Sequence, residues 1–401
     1  MGIQGLLPML KSIMVPMHVK DLAGQSVAVD TYSWLHKGAF SCSREICKGL
    51  RHPVNLLRHF GIKPILVFDG GLLPMKVDQE IKRSRIRKEN LERALDHESA
   101  GNTAAAYEYY QKAVDISPSV AYHLIQVLKE ENVDYIVAPY EADAQMAFLV
   151  MQKYVDAVIT EDSDLIPFGC SRIIYKMDKF GQGVEFRCSL LSQNRELNFA
   201  DFTQQMFLEM CILSGCDYLQ SLPGMGLRRA HTLIQKFKSH EKVIKHLKYS
   251  AVSVPPLYEE NFKKAIWTFR HQRVYNPKLE DIVHLSEIPR DLVDDMDFLG
   301  HILEITIAKG YIDPFTQLPF EITHIACAPN EAYSLKEFKP RNERKRLELP
   351  VKKNVLTNYF CLASLEAKRK YKAPQVNCKQ LLTMEESLSG RKRSHSAARR
   401  Y

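Results

Sequence analysis

No C-x-x-C pair occurs among the nine cysteines of this 401-residue chain. Cys42 and Cys47 stand five apart, as do Cys211 and Cys216, with no histidines spaced to complete a zinc site. An odd count without an export signal argues against a disulfide framework, so the thiols are expected to be reduced and mostly buried. Long apolar runs are also missing, and none approaches the length needed to cross a bilayer, so no membrane partner is expected. The opening MGIQGLLPMLKSIM has no basic leader segment and no continuous apolar stretch, and Leu6 stands where an N-myristoylation signal needs Ser or Thr. The chain is therefore expected to stay inside the cell.

What is present is a globular composition, 45% hydrophobic and 25% charged, with a formal net charge of +8. That charge is unevenly spread: residues 331–401 hold 18 Lys/Arg against 7 Asp/Glu, a net of +11, which leaves about −3 for residues 1–330. A nearly neutral body can still bind a polyanion if its acids are gathered in one place and its bases in another.

Four short apolar runs, 26–30, 62–69, 133–137 and 155–160, are separated by helical patterns, which predicts an α/β fold with a largely parallel sheet. Acids follow each run: Asp30, Asp69, Glu141 with Asp143, and Asp162 with Asp164 in "ITEDSDLIPFG". In open parallel sheets, function collects outside the carboxyl ends of the strands, so these acids should form one wall. Taken singly, each has a structural explanation as a helix cap or first-turn acid. Together they repel, and an acid-only cluster without His or Cys points to hard divalent cations, Mg²⁺ or Mn²⁺, rather than zinc. Two such ions 3.5–4 Å apart can cleave a phosphodiester by activating water and stabilising the leaving oxygen. Between Lys76 and Asp115 lies a polar helical stretch broken at Gly101-Asn102, placed to arch over the wall. Residues 206–248 read as helices around a tight Pro223-Gly224-Met225-Gly226 turn.

The stretches "MGIQGLLP", "VAVDTYSWLHKGA", "KPILVFDG", "APYEADAQMAFL", "ITEDSDLIPFG" and "LSGCDYLQSLPGMGLRRA" together resemble the structure-specific 5′ nucleases of the flap endonuclease and xeroderma pigmentosum G superfamily. The resemblance runs with gaps from Met1 to about Phe320 and implies a PIN-like nuclease core with a helical arch, a helix-two-turn-helix and a disordered basic tail. The implied parts are residues 1–99 (N-terminal nuclease region and start of the arch), 100–137 (rest of the arch and a linking strand), 138–230 (internal nuclease region), 231–330 (end of the core) and 331–401 (tail). Asp30, Asp69, Glu141 and Asp143 look like one side of a two-metal site, and Asp162, Asp164 and Asp217 like the other; Glu161 has no assigned ligand role. Lys76 and Arg85 resemble the basic pair that contacts the scissile phosphate. Tyr32 and His36 share the helix face that meets an unpaired nucleotide. Gly2 resembles the small residue that approaches the site. Gly224 and Gly226 resemble the turn that takes up the duplex backbone, and Ser214, Ser221 and Met225 match a monovalent-cation (K⁺) position there.

The implied activity is metal-dependent 5′→3′ exonucleolytic hydrolysis of double-stranded DNA at nicks, gaps, ends and 5′ flaps, in mismatch repair and recombination, by a nuclear monomer. Two readings stay open beside it: a flap endonuclease of replication, and a DNA-binding relative without turnover. The second arises because the family has about two further helical turns where this chain reads only "GLRHPV" (49–54), and Pro53 argues against a long helix there. A second shortened run lies at 297–315. In the tail, "KKNVLTNYF" (352–360) has Leu356 and Tyr359-Phe360 at the spacing of a sliding-clamp-binding peptide, with Lys353 in place of its usual Gln. The basic clusters 339–353 and 390–400 suit nuclear import. Mismatch-repair proteins are further implied partners.

Overall fold

The computed structural model describes residues 2–320 except 42–45, 251–252, 289–295 and 302, and the side chains of 37–41 and 46–52 are likewise outside the description. The chain divides after Ile325, and everything described belongs to the first unit. The tail, with its clamp-like and basic segments, lies outside the described residues.

Nine strands are described: β1 (Val15–His18), β2 (Ser26–Asp30), β3 (Lys63–Phe68), β4 (Asp134–Val137), β5 (Ala157–Ile159), β6 (Arg172–Tyr175), β7 (Gln182–Arg187), β8 (Arg273–Asn276) and β9 (Asp281–His284). The described helices are α1 (Leu6–Met9), α2 (Thr31–Ser41), α3 (Ile46–His59), α4 (Val77–Ser99), α5 (Thr103–Ala113), α6 (Pro118–Glu130), α7 (Ala142–Met151), α8 (Gln204–Ser214), α9 (Leu227–Phe237), α10 (His240–Lys248), α11 (Tyr258–His271) and α12 (Ile305–Ala308). Seven strands form one sheet in the order β1-β7-β6-β5-β2-β3-β4; the run from β6 to β4 is parallel, while β7 runs antiparallel to both its neighbours, β6 and β1. The α/β expectation holds. The four apolar runs are the four neighbouring strands β5, β2, β3 and β4, so their carboxyl ends lie side by side.

Burial explains the register. Val27, Ala28 and Val29 of β2, Leu66, Val67 and Phe68 of β3, and Val158 of β5 are fully buried, as expected for strands covered on both faces. Beyond the ladder, Gly70 N–H donates to Tyr140 O (2.6 Å) and Gly71 N–H to Pro139 O (2.9 Å), drawing the ends of β3 and β4 together. A β-carbon at Gly70 would lie 1.9 Å from Ala138 O, a backbone atom that cannot yield cheaply. Gly70→Ala is therefore expected to destabilise the fold by about 2–3 kcal/mol, measured by urea denaturation; an unchanged midpoint would refute the close packing.

The arch region is two helices, α4 and α5, packed mainly on each other, with the break at Gly101-Asn102 as anticipated. Ala94 and Ala106 are the buried residues of the two helices, so nearly all of their charged surface faces water. The expectation about Pro53 is corrected: α3 runs through it as a 14-residue helix. A mid-helix proline costs roughly 3 kcal/mol. Val54 and Leu57, buried in the core where α3 meets β3, offset this, since burying each such side chain contributes about 1.5–3 kcal/mol. The described residues of the other shortened run, 297–315, include a 3₁₀ turn at Asp297–Leu299 and the one-turn α12.

Candidate two-metal site

Topology places the acids. Asp30 is the last residue of β2 and Asp69 follows β3 directly. Glu141 caps the amino end of α7 after β4, and Asp143 sits in the first turn of that helix, where the macrodipole favours a negative charge. Asp162 and Asp164 follow β5 in a 3₁₀ turn, and Asp217 lies just beyond α8.

Five of the seven acids accept hydrogen bonds from main-chain, hydroxyl or amide donors. Asp30 accepts from Ser33 N–H (3.1 Å) and Thr160 Oγ1 (2.8 Å), and Thr160 Oγ1 in turn accepts from Asp162 N–H (3.0 Å), which ties β2 to the turn after β5. Asp69 Oδ1 accepts from Ala142 N–H at 2.8 Å. Asp162 Oδ1 accepts from Asp164 N–H at 3.0 Å, and Asp164 Oδ1 from Ile3 N–H at 2.9 Å. Glu141 accepts from Tyr218 OH and from Gln272 Nε2.

The charge is divided between two sides. Lys76 Nζ pairs with Glu141 and lies 3.2 Å from Asp217, and Arg83 reaches Asp217 at 2.7 Å and Glu80 at 2.6 Å. Burial works against the ammonium, yet Glu141 and Asp217 hold Lys76 well above the ordinary lysine range. Burial would raise Asp217, but Lys76 and Arg83 hold it below the usual carboxylate range. On the other side, burial and the neighbouring acids push Asp143 and Asp164 well up, and burial raises Asp162 despite the Asp164 amide it accepts. Asp69 is pushed up to about 6, mainly by burial. Among the described residues no ion pair joins Asp143, Asp162 or Asp164 to a cation, and no three Asp, Glu, His or Cys side chains converge as a ready-made ligand set.

The donor chemistry nevertheless fits a hard divalent cation: oxygen donors only, with one side of the wall uncompensated. The amino terminus walls that side. Gly2 has φ +75°, and a β-carbon on it would lie 2.1 Å from Asp162 Oδ1, 2.5 Å from Asp164 Oδ1 and 2.5 Å from Ser163 Oγ. Position 2 thus lies against Asp162, Ser163 and Asp164 with no room for a side chain.

The structure puts Arg83, and not Arg85, on the acids; Arg85 is exposed on α4. Helix arithmetic held the signal: position 83 is seven residues past Lys76, two turns on and on the same face, whereas 85 is nine past and faces the opposite way. Tyr32 stands edge-on to Phe68 at 6.5 Å, and burial with nearby Asp69 raises its phenol. His36, half-buried one turn on, has its imidazole pKa lowered by burial. Tyr218 and Gln272 escaped sequence reasoning.

Beyond Asp217, Cys216 and Leu219 exchange main-chain hydrogen bonds, closing the turn between α8 and α9. Gly224 has φ +68° and Gly226 caps α9 with an open approach, since a β-carbon there would meet nothing within 4 Å. Ser214 Oγ donates to Cys211 O at 2.8 Å, Ser221 is exposed, and Met225 is buried.

Comparison with known proteins gives the family. Residues 1–90 match the family model of the XPG N-terminal domain, and 132–217 that of the XPG I-region. Exonuclease 1 of Arabidopsis thaliana is 65% identical over 404 residues, covering 97% of this chain and 55% of that protein. The DNA damage-inducible protein DIN7 of Saccharomyces cerevisiae is 32% identical over 326 residues, covering 76% of this chain and 75% of that protein. The chain thus spans about half the length of the exonuclease 1 sequence and most of DIN7. Among solved structures, the Holliday junction-resolving enzyme GEN1 in complex with product DNA and Mg²⁺ shares the fold at a TM-score of 0.50 and 19% identity, covering 69% of this chain and 66% of that one. All seven acids fall within the two matched regions, and the chain belongs to the XPG nuclease family, in its exonuclease 1 group.

Proposed function

We propose that the chain is a divalent-metal-dependent 5′→3′ exonuclease of double-stranded DNA, acting at nicks, gaps and ends and cutting 5′ flaps. The observation that carries this is the acid wall with Lys76 and Arg83 set beside it. When bound, two Mg²⁺ ions, for which Mn²⁺ substitutes, would supply Lewis acidity and a lowered water pKa. Asp30, Asp69, Glu141 and Asp143 would hold them on one side, and Asp162, Asp164 and Asp217 on the other. Lys76 and Arg83 stand where they can neutralise a phosphate drawn between α4 and the wall. Tyr32 and His36 would take the unpaired terminal nucleotide, while the turn at 215–226 positions the duplex backbone through main-chain amides and a K⁺ ion at Ser214, Ser221 and Met225. Mismatch repair and recombination in the nucleus, a monomeric state, and contact with a sliding clamp through 353–360 and with mismatch-repair proteins belong to the same proposal. They rest on the sequence resemblance.

A nicked duplex labelled within the downstream strand, incubated with Mg²⁺, tests the reading. Mononucleotides bearing 5′-phosphates should leave from the nick, and an Asp162→Ala chain should release none. Faster release from flaps than from recessed ends would favour a replication-type flap endonuclease. Binding without cleavage by the parent would overturn the enzymatic reading. In the same assay Arg83→Ala should slow cleavage roughly 100-fold, whereas Arg85→Ala should stay within about threefold of the parent, as exposed helix charges usually do. The reverse ranking would return the phosphate contact to Arg85.

A further inference from the structure

Beneath the acid wall, three side chains from three elements close a triangle. Tyr218 OH donates to Glu141 Oε2, Gln272 Nε2 donates to the same oxygen at 2.7 Å, and Gln272 Nε2 lies 3.2 Å from Tyr218 OH. The phenol has a single proton, which goes to Glu141, so toward Gln272 its oxygen accepts. Gln272 is 0% exposed, and Glu141 and Tyr218 are 7% and 8% exposed. Lys76 occupies the other carboxylate oxygen, Oε1.

Gln272 lies just after α11, far in sequence from the acids and outside both matched regions. Its carbonyl accepts from Leu285 N–H at 2.8 Å, so the segment that follows β9 anchors its main chain. Its Oε1 is buried with no hydrogen-bond partner among the described residues. Turning the amide over would not help, because it would press an oxygen against the Glu141 carboxylate. An unsatisfied buried acceptor costs about 1–3 kcal/mol, so presenting both amide hydrogens to Glu141 and Tyr218 is favoured at the expense of stability.

We propose that Gln272 and Tyr218 are positioning residues for the metal site. Together they saturate Glu141 Oε2 and fix the carboxylate plane, so that Oε1, held here by Lys76, is the oxygen a divalent cation would take once Lys76 turns to the phosphate. This rests on the two-metal reading above. Partners that orient a ligand in this way typically change metal affinity by 10–100-fold when removed.

The experiment is calorimetric titration of the EDTA-stripped full chain with Mn²⁺ alone, comparing the parent with Gln272→Leu, Tyr218→Phe, the double variant and Asp162→Ala. Each single variant should weaken Mn²⁺ binding about tenfold. The double variant should lose less than the product of the two, because both act on one oxygen. Unchanged Mn²⁺ affinity in Gln272→Leu and Tyr218→Phe, with affinity lost in Asp162→Ala, would show that the pair merely fills the core and would leave the metal reading standing. Equal Mn²⁺ binding by the parent and Asp162→Ala, or none by the parent, would overturn the metal reading and this proposal together. Should Gln272→Leu fail to fold by circular dichroism, Tyr218→Phe, which deletes one hydroxyl, decides alone.

Discussion

Asp164→Asn should abolish DNA cleavage, by on the order of 10³-fold, and at the same time raise the melting temperature of the metal-free chain at neutral pH. The substitution keeps the Oδ1 that accepts Ile3 N–H at 2.9 Å, so the amino terminus stays in place. What it removes is an ionisable carboxyl that burial, and then the nearby Asp162 and Asp217, hold well above its ordinary range. The sign follows from proton linkage. An acid whose folded pKa exceeds its unfolded value makes the native state bind more protons, so stability falls as pH rises through the folded pKa. Asn cannot ionise, and its advantage should therefore grow with pH and vanish in acid. Asp69, pushed up to about 6, adds a loss of parent stability between about pH 4 and 6. Melting curves in EDTA across pH 4–8, paired with a cleavage assay in Mg²⁺, measure both effects. A variant that melts lower than the parent at pH 8 would mean that Asp164 is paired and not strained.

Gly2→Ala should cut turnover by roughly 10²-fold while leaving duplex binding intact, since misplacing catalytic groups by about 1 Å has that scale of effect. The methyl group would enter within 2.1 Å of Asp162 Oδ1 and 2.5 Å of Asp164 Oδ1, and φ +75° adds the strain of a left-handed backbone on an L-residue. Either the acids move or the amino terminus lifts away and takes Ile3 N–H from Asp164. Both outcomes disturb the wall without altering the turn between α8 and α9. Single-turnover cleavage with duplex in excess of its dissociation constant separates the two quantities. Parent-like turnover would mean that the amino terminus yields without disturbing the acids.

Six of the seven acids were legible in the sequence because they follow apolar runs whose parallel pairing as β5, β2, β3 and β4 brings the carboxyl ends together, whereas Asp217, beyond α8, came only with the family resemblance. Gly101-Asn102 was legible as the break between α4 and α5 because it interrupts a continuous polar helix pattern. Strand β1 was not: Val15-Pro16-Met17-His18 looks unlike a strand, and it is tolerated because β1 lies at the sheet edge, where a missing N–H is harmless. The helix through Pro53 was misjudged because the burial that offsets the proline depends on packing against β3, which local propensity does not contain. Arg83 was within reach of helical periodicity. Gln272 was not, since one amide after a helix has no pattern, and its partners lie 54 and 131 residues away in the chain.

Two divalent ions should sit among the seven carboxylates and meet the phosphodiester. Crystals of the chain with a recessed-end duplex and Mn²⁺, measured for anomalous scattering at the manganese edge, test it directly. Two peaks should appear, one among Asp30, Asp69, Glu141 and Asp143 and the other toward Asp162, Asp164 and Asp217, with Lys76 and Arg83 turned to the phosphate between them. Bound duplex with no manganese peak at these acids would contradict the account.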